Sequence, residues 1–538
     1  MSEFSLASQP LIQTHFNILF TAYVHPQNAT ERLPRMTRSS WIAAAFILTF
    51  CFQAFFAIPK LSATADEPLH LASGYSYWVT RDFRMEPETP PTAKLVAAFP
   101  LLFLHPKLDT SRDEWIKGTR AQSLFGFIFL YLNDADRLLY WARVAMTILA
   151  AGGAAIAFLW ARDLFGPAAG VFAAGLYSFS PNLLAHGMLV TSDVPVSVFT
   201  LLTLYLFWKG SHQTSWLHDL LTGLALGAAM TAKFSATILP VILAVLAFAR
   251  FGRNATKRLA VMAIGSLIVI EAAYLFSASP LLYFRNLAVV NSYVIKDYPI
   301  YLFGHLKPGG YWYYFLAAFA VKATVPTLIL IVLAGIHTIV KPMNRWGETI
   351  LLVGIGAFLV ITSAVAGQIG IRYLLPIFPL IFVWVSRIVP DLLALRAGKI
   401  ILGLLFAWTA ISCLHAFPNY IPYFNELAGG AARGTDFLDD SNVDWGQGVK
   451  QAAEYARARH LDRLTMFTFS PLDNPQYYGL PRNLAVSEVP GRLFGKRPDP
   501  GVYIISAHRV IRMRQVDPAW KIYKPADRIG ESLWVYEF

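Results

Sequence analysis

A series of long apolar runs constrains this chain more than any other feature. The first, Trp41 to Pro59, carries no charge and is long enough to cross about 30 Å of hydrocarbon as a helix. Further runs follow near 138–160, 167–185, 192–208, 217–232, 235–250, 258–277, 312–338, 348–366, 371–388 and 399–417, giving eleven expected spans. Pro181 and Pro195 interrupt two of them, 167–185 and 192–208, which reads as short or re-entrant helices. The runs are continuous rather than alternating, which excludes a transmembrane barrel.

Composition agrees. Charged residues make up 14% of the 538, against roughly 25% in soluble proteins. The net charge of +12 does not indicate nucleic acid, because the basic residues crowd short loops between spans. Arg250, Arg253, Lys257 and Arg258 form one such group, Lys341 and Arg345 a second, and Arg387, Arg396 and Lys399 a third. All three fall on one side if the first span enters from the cytoplasm. The opposite side then receives the loops 60–137 and 278–311 and everything after 418. Cys51 and Cys413 both lie in apolar runs, so neither a disulfide framework nor zinc is expected. No metal or other cofactor is called for, since HExxH, paired-Cys, P-loop and G-x-G-x-x-G patterns are all absent.

The expected architecture is an all-α polytopic membrane protein with a small C-terminal α/β domain outside the cytoplasm. Residues 1–36 are polar, precede a second methionine, Met36, and read as a disordered or spurious extension. Residues 37–418 form the membrane domain and 419–538 the C-terminal one. In the latter, Gln447 to Arg459 reads as a helix, and 463–469, 502–506 and 532–536 read as strands. In the loop 60–137, Pro68 to Val79 is predicted helical, and Lys94 to Phe99 is apolar but too short to span, so it is expected in the interface plane.

Charged residues at span ends are the candidates for chemistry. Asp66-Glu67 follows the first span at once, either as a helix cap before Pro68 or as a carboxylate poised to deprotonate a hydroxyl. Asp193 opens a later span on the same side and has the same two readings, with His186 shortly before it. Lys94, Lys233 and Arg372 sit at span ends outside the cytoplasm, against the positive-inside tendency. Binding a phosphate or snorkelling to the interface would each account for them. Lys322 is a further candidate, and Arg81 and Arg84 are weaker ones.

Taken in order, these elements resemble the GT-C fold glycosyltransferases, closest to the family 39-like group of protein O-mannosyltransferases and aminoarabinose transferases. The resemblance rests on the acidic pair after the first span, Pro90-Pro91-Thr-Ala-Lys94 later in the same loop, and Thr191-Ser-Asp193-Val-Pro195. Thr231-Ala-Lys-Phe-Ser-Ala and Arg372-Tyr-Leu-Leu-Pro-Ile-Phe-Pro add to it, as does Asp440-Ser-Asn-Val-Asp-Trp-Gly-Gln in the tail. It implies a GT-C fold of about eleven transmembrane helices and a sugar donor on a polyprenyl phosphate. It also implies Asp66 as catalytic carboxylate, assisted by Glu67 and Asp193, and donor-phosphate binding by Lys94, Lys233 and Arg372. The mannosyltransferases read His-Pro-Pro-Leu-x-Lys where this chain has Thr89-Pro90-Pro91-Thr92-Ala93-Lys94, which leaves lipid, glycan and protein hydroxyls all open as acceptor. The implied location is an integral protein of the bacterial inner membrane with its site facing outward. A secondary transporter is the alternative, although no internal repeat supports it; a scaffold without chemistry is another. Convergence of Asp66, Asp193 and Lys94 on one cavity separates the enzyme from both.

Overall fold

The computed structural model describes residues 37–212, 215–277, 279, 281–290, 298–342, 345–480, 485–486 and 498–538. The expected extension at 1–36 lies outside the described residues. Every predicted span is helical in the structure, but not every one is a full-length span. Among the described residues six helical runs are long and apolar enough to cross a membrane, or seven if Tyr314–Lys322 and Val325–Val340, bent by 112°, count as one. The difference from eleven has local causes. Gly252, at φ +54°, separates Ile238–Phe251 from Ala255–Ala273, which together count as one run. Pro181 starts a new helix, so 167–185 becomes Pro167–Ser178 and Pro181–Gly187. Asp193–Gly210 carries Asp193 and Lys209 at its two ends, and Trp216–Ala232 is only 17 residues long.

Small residues set how closely the helices that carry the site approach one another. A Cβ on Gly223 or Gly227 would stand 2.2 or 2.6 Å from the carbonyl oxygens of Met262 and Ser266. Trp216–Ala232 therefore lies tightly against Ala255–Ala273, in the small-residue packing that membrane helices use in place of a hydrophobic drive. That contact fixes the C-terminal end of Trp216–Ala232, where Lys233 follows. Gly74 works the same way in the first loop: a Cβ there would stand 2.2 Å from the Lys94 carbonyl oxygen, so Glu67–Thr80 and Thr92–Ala98 pack without a gap. The Lys94 segment is thus mostly buried, while Phe99 and Phe103 just beyond it are exposed.

The C-terminal region holds a five-stranded mixed sheet. Its strands lie in the order Ala485–Val486, Thr465–Phe467, Val502–Ser506, Leu533–Glu537, Asp527–Ile529. The first three are parallel and the last two pairings antiparallel. Val449–Ala458 packs through Val449, Ala452, Ala453 and Ala456 on an apolar cluster with Met466, Ile504 and Val535. Ahead of this sheet, the tail motif grips the first loop. Ser62 N–H donates to Gln447 O at 3.1 Å and Ala65 N–H to Trp445 O at 2.9 Å. The Ser62 hydroxyl donates to Gly446 O at 2.8 Å and accepts from Val449 N–H at 3.0 Å. Lys322 holds the same motif from the membrane side, its ammonium donating to Ile421 O at 2.7 Å and Asn442 O at 2.8 Å.

Candidate active site

The acidic pair splits. Glu67 turns inward and is fully buried. Its two oxygens accept from Arg143 Nε at 2.8 Å, Arg143 Nη2 at 2.5 Å, Thr64 N–H at 2.8 Å, Thr64 Oγ1 at 3.1 Å and Val190 N–H at 3.0 Å. A carboxylate offers about four lone-pair sites, so none is left for a substrate. Burial alone would raise its carboxyl, but Arg143 and these hydrogen bonds hold it below the ordinary value. Glu67, expected as a catalytic group, is instead the tie that fastens the loop to helix Ala135–Phe165. Arg143 completes the tie by donating to Ser62 O at 2.7 Å and Leu61 O at 3.2 Å.

Asp66 turns outward. Its side chain is 39% exposed and makes no cap hydrogen bond to the helix it precedes, so the cap reading has no support in its geometry. It lines a cavity of about 1020 Å³. Arg372 Nη1 reaches it at 3.1 Å and stands 3.7 Å from Asp193 Oδ2, while Lys233 Nζ lies 2.5 Å from Asp193 Oδ1. The four groups form an alternating chain of charge, Asp66–Arg372–Asp193–Lys233. Aromatic faces hold the cations: Arg372 stacks 4.1 Å from the Trp445 ring and Lys233 lies 4.2 Å over Tyr373. Lys233, Arg372 and Asp66 line the cavity, with Asp193 buried just behind.

Two expected site residues lie elsewhere. Lys94 is buried, and its ammonium donates to Thr89 O at 2.7 Å and to Tyr77 Oη and Glu86 O, both at 3.0 Å. All three N–H donors are thus used inside the loop, which leaves none for a phosphate. His186 is buried near the Trp445 ring, at 6.1 Å between centroids, and does not line the cavity. Lys322 is spent on the tail motif, and Arg81 and Arg84 are exposed, Arg84 pairing with Asp82. Of the three residues meant to discriminate the readings, Asp66 and Asp193 converge and Lys94 stands back.

Sequence reasoning missed four groups. Arg143 left a signal, a lone cation within an otherwise apolar span. His70 left one too, lying four residues after Asp66 on one helix and hence on the same face. Glu86 and Asp473 left none. His70 and Glu86 line the cavity together, with Nδ1 2.7 Å from Oε1. Burial opposes charge on both, yet each stabilises the other: Glu86 falls to about 2, and His70 rises above its ordinary value. The Glu86 contribution to loop stability is therefore full above about pH 4.5 and lost as pH falls through about 2. The His70 contribution is full below about pH 6.5 and lost as pH rises through its elevated value. Trypsin cleavage after Arg81 and Arg84 is expected to accelerate above that value in the native chain. A His70→Gln variant should lack the extra acceleration; equal pH profiles for the two would contradict the ion pair.

The cavity lining is of two kinds. Asp66, His70, Glu86, Glu88, Lys233, Arg372 and Asp473 are its charged and titratable side chains. Ile238 and Val241 of one apolar helix and Phe358, Ile361 and Val365 of another are among its apolar ones, and Val241 and Val365 are exposed. Both helices belong to runs that can cross a membrane.

Comparison with known proteins agrees with this architecture. Residues 125–283 match the family model of dolichyl-phosphate-mannose-protein mannosyltransferase, under a third of the chain. No curated protein matches the sequence. The crystal structure of ArnT from Cupriavidus metallidurans bound to undecaprenyl phosphate is similar at TM-score 0.51 and 14% identity, covering 93% of this chain and 98% of that one. Its apo form is similar at TM-score 0.50 and 13% identity, with the same coverage. The fold is that of the GT-C glycosyltransferases. Fold and matched segment point the same way: the chain has the GT-C fold, and residues 125–283 are similar to a mannosyltransferase.

Proposed function

We propose that the cavity transfers a sugar from a polyprenyl-phosphate donor to a hydroxyl of a lipid, glycan or protein acceptor, on the side of the membrane away from the cytoplasm. A bacterial inner membrane is the setting that fits such a donor. One observation carries the reading. A carboxylate and two cations share one cavity with apolar side chains from two helices that belong to membrane-length runs. A lipid phosphosugar has the same two characters, with an isoprenoid tail for the apolar side chains and a phosphate for Lys233 and Arg372. The ArnT relative was crystallised with undecaprenyl phosphate, which supports a donor of this kind.

In this reading Asp66 takes the proton of the acceptor hydroxyl as its oxygen bonds to the anomeric carbon. The bond from that carbon to the phosphate oxygen breaks through an oxocarbenium-like state, and the electron pair leaves on the phosphate. Arg372 offers two N–H groups in a fork and Lys233 a point charge, so both stabilise the charge that grows on the leaving group. Direct attack inverts the anomeric centre. The arriving phosphate competes with Asp66 for Arg372, which frees the carboxylate to act as base when the donor is in place.

Undecaprenyl phosphate is the probe for this reading. It should raise the thermal midpoint of the detergent-solubilised protein, and Lys233→Ala and Arg372→Ala should each weaken its binding about tenfold or more. Lys94→Ala should leave the per-site affinity near that of the unaltered chain. Wild-type affinity in both cavity variants would falsify the donor assignment.

A further inference from the structure

The cavity has a wall that the donor does not explain, and the C-terminal domain builds part of it. Ser470, Leu472 and Asp473 line the cavity together with Glu88, Gln122 and Tyr131 of the first loop. Among the described residues neither Glu88 nor Asp473 forms an ion pair. Asp473 is shaped into position. Its Oδ2 accepts from Ser470 N–H at 3.1 Å, and its Oδ1 fills the space beside Gly446. Gly446 has φ +96°, and a Cβ there would stand 2.9 Å from Oδ1 and 3.4 Å from Ala63 O. A glycine at this point of the tail motif therefore makes room for the Asp473 carboxyl beside the segment 61–65 that leads to Asp66. Burial raises that carboxyl well above its ordinary value. A carboxyl offers two oxygens to hydrogen-bond donors, which suits a pair of hydroxyls.

We propose that Asp473 is an acceptor-selecting residue: with Glu88 it receives a polyhydroxyl, saccharide-type acceptor in the same cavity that Lys233 and Arg372 line. The proposal rests on the donor reading above and deepens it. The phosphate is drawn to the two cavity cations. The acceptor is drawn to the two carboxyls, where hydroxyl pairs find two-oxygen partners. Asp66 lines the same cavity and takes the proton.

The test uses full-length Asp473→Ala and, as the milder change, Asp473→Asn. Two measurements are made: thermal stabilisation by undecaprenyl phosphate, and the amount and linkage of glycosylated product in the envelope of cells whose only copy is the variant. Both variants are expected to keep the stabilisation. Product should fall about tenfold or more in Asp473→Ala and less in Asp473→Asn, whose carboxamide still donates and accepts. Wild-type product in Asp473→Ala overturns the proposal. Loss of undecaprenyl-phosphate stabilisation in both variants also overturns it, because Asp473 would then belong to the donor side or to the frame. A product with the sugar on a phosphate oxygen overturns the saccharide assignment. Unchanged stabilisation in Lys233→Ala and Arg372→Ala instead defeats the underlying donor reading, whatever Asp473 does.

Discussion

Asp66→Asn is expected to lower sugar transfer by about 10²–10⁴-fold, the usual contribution of a positioned base, without lowering the thermal midpoint of the protein. The separation follows from the geometry. Asp66 is partly exposed, lines the cavity and caps nothing, so the carboxamide removes a proton acceptor and leaves the loop as it was. Arg372 keeps Asp193 as a partner and does not become an unpaired buried charge. Mass spectrometry of envelope lipids and glycoproteins from cells carrying only this variant should match that from cells lacking the chain. Product at the normal level would remove Asp66 from the mechanism.

The neighbouring position should behave in the opposite sense. Glu67→Gln leaves Arg143 with an uncompensated buried charge, and breaking such a pair costs about 3–5 kcal/mol. The Arg143 side chain is only 1% exposed and Glu67 is fully covered, so water cannot make good the loss. The expected result is a large fall in thermal midpoint and in the amount of protein recovered from membranes. Arg143→Met should fall as far, and Arg143→Met with Glu67→Leu should regain part of the loss, since the desolvation penalty disappears with both charges. Two adjacent acids thus yield two phenotypes, lost activity with a sound fold and lost fold. Stable Glu67→Gln protein without transfer would return Glu67 to the reaction.

Much of this could be read from the residue pattern, and the failures have physical reasons. The helices were legible because hydrocarbon demands long runs without charge, and Pro181 marked a real break. What hydropathy could not separate was a helix that crosses alone from one that is shorter or broken within a packed bundle; hence eleven expected spans against six or seven among the described residues. The strands read at 502–506 and 532–536 stood out by their β-branched and aromatic content and are found at Val502–Ser506 and Leu533–Glu537. At the site, Asp66, Asp193, Lys233 and Arg372 were marked by charge at span ends, and the structure brings them together. Glu67 and Lys94 carried the same mark, yet both point into the loop. Direction is not written in a charge pattern: Glu67 lies next to Asp66 in the chain and faces Arg143, a residue 76 positions away. Asp473 had no mark because its meaning depends on Gly446 and Ala63, neighbours made only by the fold.

The interlock between Ser62 and residues 446–449 has a mechanical side. The stretch ahead of Asp66 is stitched to the tail by both backbone and hydroxyl, and through Glu67 to a membrane helix. Any displacement of the C-terminal sheet, by a docking macromolecule or by a proteolytic nick upstream of 440, is transmitted rigidly to the carboxylate four residues after Ser62. A chain shortened before the tail motif would lack the second half of its own reaction vessel, and its membrane helices alone should be catalytically silent even where they insert correctly.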